Sequence, residues 1–79
     1  MFDDKQWWYL SFSFVEWLGA SVVQADSIVE AIVEAHVRKI NPGGAVMAIP
    51  CEKVPPLKYR NRLLSREDIE QWDAEVTES

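Results

Sequence analysis

One stretch, DSIVEAIVEAHVRKINPGG from Asp26 to Gly44, constrains the fold more than any other part of the chain. Apolar residues recur in it at steps of three and four, which is the spacing of one face of an α-helix. They are Ile28, Val29, Ile32, Val33, Val37 and Ile40, with His36 among them. Ser27 and Glu30 have the spacing of an N-terminal capping box, and Pro42 cannot continue a helix. The pattern predicts an amphipathic helix from about residue 27 to residue 39 or 40.

An aromatic-rich strand is predicted before this helix. Residues 7–14 alternate regularly, which is the pattern of a half-buried strand. One face of this strand carries Leu10 and Phe12, and the other carries Trp7 and Tyr9. We expect the strand to be central in its sheet, with the helix covering the face of Leu10 and Phe12. The face of Trp7 and Tyr9 would then be left for a partner subunit or a ligand.

Further strands complete a small two-layer α+β domain. Residues 17–25 favour a second strand, and the link to the first strand is too short for anything but a hairpin. Residues 45–49, which follow the helix, favour a third strand. Residues 57–64 are compatible with a short edge strand or with a loop. The predicted order is a β-hairpin, an amphipathic helix, a third strand and a short C-terminal helix (ββαβ-α).

The C-terminal helix is predicted from its capping pattern. Ser65 is a good N-cap, and it stands before a turn rich in acidic residues. We expect this helix to end near Trp72. Residues 1–73 then form a single domain, and residues 74–79 form an acidic tail that is frayed.

Composition limits the function classes. Seventy-nine residues form one small domain, in which four tryptophans are hard to bury, so we expect a homo-oligomer. The single cysteine, Cys51, excludes an intrachain disulfide and fits a reducing compartment. An acidic N-terminus and the lack of a long apolar run predict a cytoplasmic protein with no membrane partner. The net charge of −5 argues against duplex nucleic acid as a partner.

No catalytic or metal-binding pattern is visible. His36 is the only histidine, and its place on the apolar stripe predicts a packing role. Cys51 has no spacing relation to His36 and is interpreted as a small buried thiol. One histidine and one cysteine cannot build a zinc site. We therefore expect no enzymatic activity, no metal and no cofactor.

The basic segment from Lys53 to Arg66 is the main candidate for a binding site. It contains no acid, and it combines the cations Lys58, Arg60 and Arg62 with the aromatic ring of Tyr59. Such a combination suits phosphate binding and base stacking. Two simpler interpretations stay open: a solvated basic face, or a partner for the acids of the C-terminal segment.

The loop after the long helix is a secondary candidate. Gly43 and Gly44 can form a backbone nest for an anion, although a helix stop followed by a turn also explains them. We include Trp7 and Trp8 in the candidate site as rings on which a base could stack.

Three short motifs, WWYLSFS, ASVVQA and INPGG, lie within residues 7–50. In this region the chain resembles a group of small phage-type proteins. The resemblance implies a phage or prophage setting, and therefore the cytoplasm of a host cell. It implies no activity that can be assigned to named residues.

Two functions are compatible with these features. The first is a non-enzymatic, oligomeric protein that sequesters a small anionic ligand of the nucleotide-signal type, as an anti-defence protein of a phage would. The alternative is a protein-interaction module that inhibits a host protein through its acidic or aromatic surface.

Overall fold

The computed structural model describes residues 5–78, with the side chains of residues 5–76. It is a small α+β domain in which two helices accompany a four-stranded antiparallel sheet. The elements in chain order are β1 (Gln6–Phe14), β2 (Glu16–Ala25), α1 (Ile28–Val37), β3 (Ala45–Pro50), a 3-10 turn (Leu57–Tyr59), β4 (Leu63–Leu64) and α2 (Arg66–Glu78). The predicted fold class is confirmed. Within these residues, no helix is long and apolar enough to cross a membrane.

β1 is a central strand, as predicted. The strand order is β3-β1-β2-β4, and β1 pairs antiparallel with both of its neighbours. The predicted hairpin between β1 and β2 turns at Val15, which has a φ of 68° and is fully exposed. β2 contains a bulge near this turn. Ser13 is opposite Trp17 and Phe12 is opposite Gly19, so one residue of β2 between them has no partner on β1. A side chain at Gly19 would lie 3.0 Å from Leu63, so the glycine allows β4 to approach β2.

α1 covers the face of the sheet that carries Leu10 and Phe12, again as predicted. Both side chains are buried in one cluster with Ala31 and Ala35 of the helix. The start of the helix is also confirmed, since the Ser27 hydroxyl accepts a hydrogen bond from the Glu30 amide at 3.2 Å. This first layer is therefore an apolar core with a capped helix above it.

The apolar stripe predicted on α1 is buried only in part, with Ile32 and Ile40 half-buried. Val29, Val33 and Val37 are 70%, 54% and 67% exposed, and His36 is exposed as well. The helix instead turns its small residues, Ala31 and Ala35, towards the sheet. Alanine allows close approach of the helix, because the large side chains of the strands already fill the space between the two layers. His36 is therefore not a packing residue.

The C-terminal part of the chain covers part of the opposite face of the sheet. Tyr59 and Leu64 are buried against Ala20 and Val22 of β2. Residues 57–64 contain both a 3-10 turn and the two-residue edge strand β4. The face of Trp7 and Tyr9, expected to be open, is thus only partly open.

α2 is longer than predicted. Ser65 caps it, since its hydroxyl accepts from the Asp68 amide at 3.3 Å and its own amide donates to the Asp68 carboxylate at 2.9 Å. The predicted end near Trp72 is wrong, because the helix continues to Glu78. It includes residues 74–78 of the segment predicted as a frayed tail, whose last residue, Ser79, lies outside the described residues. Glu75, which pairs with Lys58, lies within this additional stretch of helix.

Candidate functional site

Tyr59, the aromatic residue of the predicted basic site, belongs to the core. Its side chain is 1% exposed, and its ring stacks on Trp72 with centroids 5.0 Å apart and planes at 18°. Its hydroxyl donates to a carboxylate oxygen of Glu75 at 3.2 Å. Both faces of the ring are therefore away from solvent, and the ring is not available to stack on a base.

Two cations of the predicted site are paired with acids of α2. Lys58 Nζ lies 2.5 Å from Oε2 of Glu75. The two terminal nitrogens of Arg62 donate to the two carboxylate oxygens of Asp68 at 3.2 and 3.4 Å. One of the simpler interpretations, a partner for the C-terminal acids, describes this arrangement. We call the group the clasp, and its members are Lys58, Tyr59, Arg62, Asp68, Trp72 and Glu75.

The protonation states of the clasp reflect these contacts. The hydrogen bond from Lys58 lowers the pKa of Glu75, and the same contact raises the pKa of Lys58. The backbone amide of Ser65 is the main cause that lowers the pKa of Asp68, and Arg62 adds to it. Lys58, Asp68 and Glu75 are accordingly held in their charged forms at neutral pH. The cations of the clasp are exposed and its carboxylates are only half-buried, so each ion pair contributes modestly and is weakened by salt.

Arg60 has different surroundings from the other two cations. Its guanidinium carbon lies 5.2 Å from the ring centroid of Trp7, and its Nε donates to the carbonyl of Pro55 at 2.7 Å. Both side chains are half-buried. Among the ion pairs formed by the described residues, none involves Arg60. The predicted combination of a cation and an aromatic ring therefore exists at Arg60 and Trp7.

The glycine loop is not brought to this place. A side chain at Gly44 would lie 2.6 Å from the carbonyl oxygen of Ser13, near the end of β1, whereas Trp7 is near its start. Six residues of strand separate the two positions by about 20 Å. The amide of Gly43 already donates to the side chain of Asn41 at 2.8 Å, which occupies one donor of the expected anion nest.

Trp8 lies on the other face of the sheet from Trp7. It packs against the core cluster beneath α1, and its indole donates to the carbonyl of Ala25 at 3.0 Å. The eight residues predicted to bind a ligand are thus divided among three places: the segment Lys58–Arg62 with Trp7, the loop of Gly43 and Gly44, and the α1 face at Trp8.

A groove lies between β3 and α2. Its volume is about 500 Å³, within the range of ligand-binding pockets. Tyr9 lies between its walls, which are formed by Ile49 and the connector at residues 50–56 on one side and by Trp72 and Val76 on the other. Two shallower depressions also border Tyr9 and extend along α2, the second of them reaching Arg66. The groove is therefore elongated and mainly apolar.

Polar and charged groups also border the groove. Burial raises the pKa of the Cys51 thiol, so this cysteine is neutral at pH 7 and is a poor nucleophile. Burial, followed by the proximity of Cys51, also raises the pKa of Tyr9. The longer groove is bordered by the carboxylates of Glu52, Glu70 and Asp73 and by the cations of Lys53 and Arg66. Such a surface can bind an apolar segment but offers no acid–base pair.

Most residues of the groove were not predicted from the sequence. Of those that line it, only Tyr9 was predicted to face a partner. A signal was present in the C-terminal segment: Ile69, Trp72 and Val76 recur at three- and four-residue steps. This stripe indicates a helix that continues past Trp72 and has one apolar side. Ile49 could not be found in this way, because its exposure depends on how far α2 extends across the sheet.

Among the described residues, no three His, Cys, Asp or Glu side chains are grouped so that they could hold a metal ion. No protein-family model, curated protein or solved structure matches the chain.

Proposed function

We propose that the protein is a non-enzymatic interaction module that binds an extended, basic segment of another protein in the groove beside α2. The observation that carries the proposal is the groove itself, an apolar channel that passes Tyr9 along one side of a helix. From Arg66 to Val76 the helix provides a wall about 15 Å long. An extended peptide of about five residues matches this length.

Charge favours a basic partner. Three carboxylates along the groove, those of Glu52, Glu70 and Asp73, have no ion-pair partner among the described residues, and neither have the two cations of Lys53 and Arg66, so the unpaired charges leave the groove weakly acidic. The chain as a whole carries a net charge of −5. Such a surface attracts a cationic segment over a distance and repels an anionic one. In the phage setting that the resemblance implies, the partner is a host protein in the cytoplasm, where the free thiol of Cys51 remains reduced.

The pairing within the clasp supports this function over anion binding. Lys58 and Arg62 would have to leave Glu75 and Asp68 before they could bind a phosphate. A phosphate at this place would also meet the carboxylates of α2. The groove requires no such rearrangement, because Tyr9, Ile49 and Trp72 already form its walls.

The test is selection from a displayed library of random dodecapeptides on the immobilised protein, followed by calorimetry with the selected peptides. We expect peptides that combine aromatic or aliphatic residues with Lys or Arg. The variant Ile49→Lys, which places a cation in the groove wall, should weaken their binding by at least about tenfold, or about 1.4 kcal/mol.

The control for this experiment is Met47→Lys. Met47 lies two residues before Ile49 on β3, faces the same side of the sheet and is also exposed, but it does not line the groove. Binding to this variant should be unchanged within about twofold. Failure to select any peptide, or equal weakening by both variants, would contradict the proposal.

A nucleotide-type ligand is the second candidate, and Arg60 is the observation that favours it. This residue combines a cation with the ring of Trp7 and forms no ion pair among the described residues. Calorimetry with cyclic and linear nucleotides tests it, with Arg60→Gln as the variant that removes the charge. Heat of binding that Arg60→Gln abolishes would favour this function, and absence of heat across the panel would reject it.

A further inference from the structure

The exposed side of α1 carries a row of valines with no role in the fold or the groove. We call Val29, Val33 and Val37 the valine ladder; they recur every four residues, so they follow one line along the helix. Val33 is two residues from both Ala31 and Ala35, which places it about 200° around the helix from each. Because those alanines contact the sheet, the ladder faces away from the domain.

Such a surface is unusual for a monomer. Each valine of the ladder is more than half exposed. A contiguous apolar strip on the solvent side of a helix often marks a contact with another chain. Valine is also a poor choice for an exposed helical position, where Ala, Glu or Lys favour the helix more. The fold of the domain therefore does not explain why three valines are there.

We propose that the valine ladder is the interface of an antiparallel, two-fold homodimer formed by α1 and its copy. The ladder is symmetric about Val33, so a two-fold axis at this residue places Val29 of each chain opposite Val37 of its partner. The same surface then occurs on both subunits, as a two-fold interface requires.

Charges at the two ends of α1 select a second copy in the antiparallel orientation. Asp26 precedes the helix and Lys39 follows it, and neither side chain forms an ion pair among the described residues. Antiparallel pairing brings the acidic start of one helix to the basic end of the other. It also places the helix dipoles in opposite directions, which is the favourable arrangement. The flanking pair of Glu34 and Arg38 is already satisfied within each helix.

The first experiment is sedimentation velocity of the full chain from low micromolar to submillimolar concentration. We expect the wild type to change from monomer to dimer within this range, because the ladder is a small interface. Val33→Glu places two carboxylates at the two-fold axis and should raise the dissociation constant by at least about tenfold. Its monomer should remain folded, since Glu is a better helix former than Val at an exposed position.

The control is Leu57→Glu. Leu57 is 77% exposed, lies in the 3-10 turn away from α1 and does not line the groove. This variant should dimerise like the wild type. A wild type that stays monomeric throughout, an oligomer that Val33→Glu leaves intact, or equal weakening by the two variants would each overturn the proposal.

A charge exchange tests the orientation. Asp26→Lys and Lys39→Glu should each weaken the dimer several-fold, because like charges then meet at both ends. The double variant should restore the wild-type dissociation constant, since the opposite charges are again paired. Additive weakening in the double variant would reject the antiparallel arrangement.

Discussion

α1 and α2 are attached to the two faces of one sheet by different means. α1 lies on Leu10 and Phe12 through two buried alanines, so its contact with the sheet is apolar. α2 is attached through the ring of Trp72, which stacks on Tyr59, and through the ion pairs of the clasp. The first contact depends on shape and burial, and the second depends in addition on charge.

This difference between the helices explains why the cations of the basic segment pair with acids of α2. α1 needs no charged partner, so its ion pair, Glu34 with Arg38, lies within the helix. α2 has a polar surface with a single apolar side, and the preceding segment provides both an aromatic ring and two cations for it. The cations that resemble a phosphate site therefore pair with the acids of a helix.

The largest effect is expected on the α1 face. Phe12→Ala removes a ring that is 1% exposed and leaves a cavity, so the free energy of unfolding should fall by about 3–5 kcal/mol. Phe14→Ala on the same strand is the control, because Phe14 is 69% exposed and should change stability by less than about 0.5 kcal/mol. Urea unfolding measures both. Similar losses for the two variants would contradict the core described here.

A smaller effect is expected on the other face. Trp72→Ala removes the stack on Tyr59 from a half-buried position, and it should cost about 2 kcal/mol. Hydrogen exchange should show that amides of α2 lose protection while those of β1, β2 and α1 keep it. Uniform loss of protection over all elements would mean that the two faces do not differ as proposed.

Overpacking tests the close approach of α1. Ala31→Leu adds volume where the helix touches the sheet, and it should cost about 1–3 kcal/mol. Ala74→Leu makes the same change at an exposed position of α2 and should be nearly neutral. Thermal unfolding of the two variants gives the melting temperatures to be compared. A neutral Ala31→Leu would show that α1 is farther from the sheet than its contacts indicate.

Local patterns predicted much of the fold. The alternation of residues 7–14 and the cap at Ser27 depend on neighbours in the chain, so they could be read directly. The side of α1 that is buried could not be read from local patterns, because close packing decides which side faces the sheet. The alanines fit against Leu10 and Phe12, and the larger apolar residues are left outside.

The candidate site was harder to predict for the same reason. The composition of the segment around Tyr59 is the same whether its charges meet a ligand or an acidic helix. The positions of Glu75 opposite Lys58 and of Asp68 opposite Arg62 distinguish the two cases. The separation of 17 residues between Lys58 and Glu75 along the chain does not reveal their contact. Whether the contact forms depends on how far α2 extends.

A pH titration should affect α2 first. The pKa of Glu75 is lowered by Lys58, so its contribution to stability is present above the ordinary carboxyl pKa and is lost as the pH falls through the lowered value. The pKa of Asp68 is also lowered, so its contribution to stability is likewise lost as the pH falls. The raised pKa of Lys58 gives the opposite sign, with a contribution that is lost only in strongly alkaline solution.

Protection of α2 against hydrogen exchange should therefore decrease below about pH 4, before that of α1. Glu75→Gln should remove part of this pH dependence. If both helices lost protection together, or if the variant titrated like the wild type, the charges of the clasp would not hold α2.

The most direct test of the account is a charge exchange between Lys58 and Glu75. Because the basic segment binds α2 through this ion pair, Lys58→Glu and Glu75→Lys should each lower the urea midpoint and the protection of α2. The double variant should restore both, because the ion pair is formed again with its charges reversed. A double variant whose midpoint falls by the sum of the two single losses would contradict binding through this ion pair and return the basic segment to the role of a ligand site.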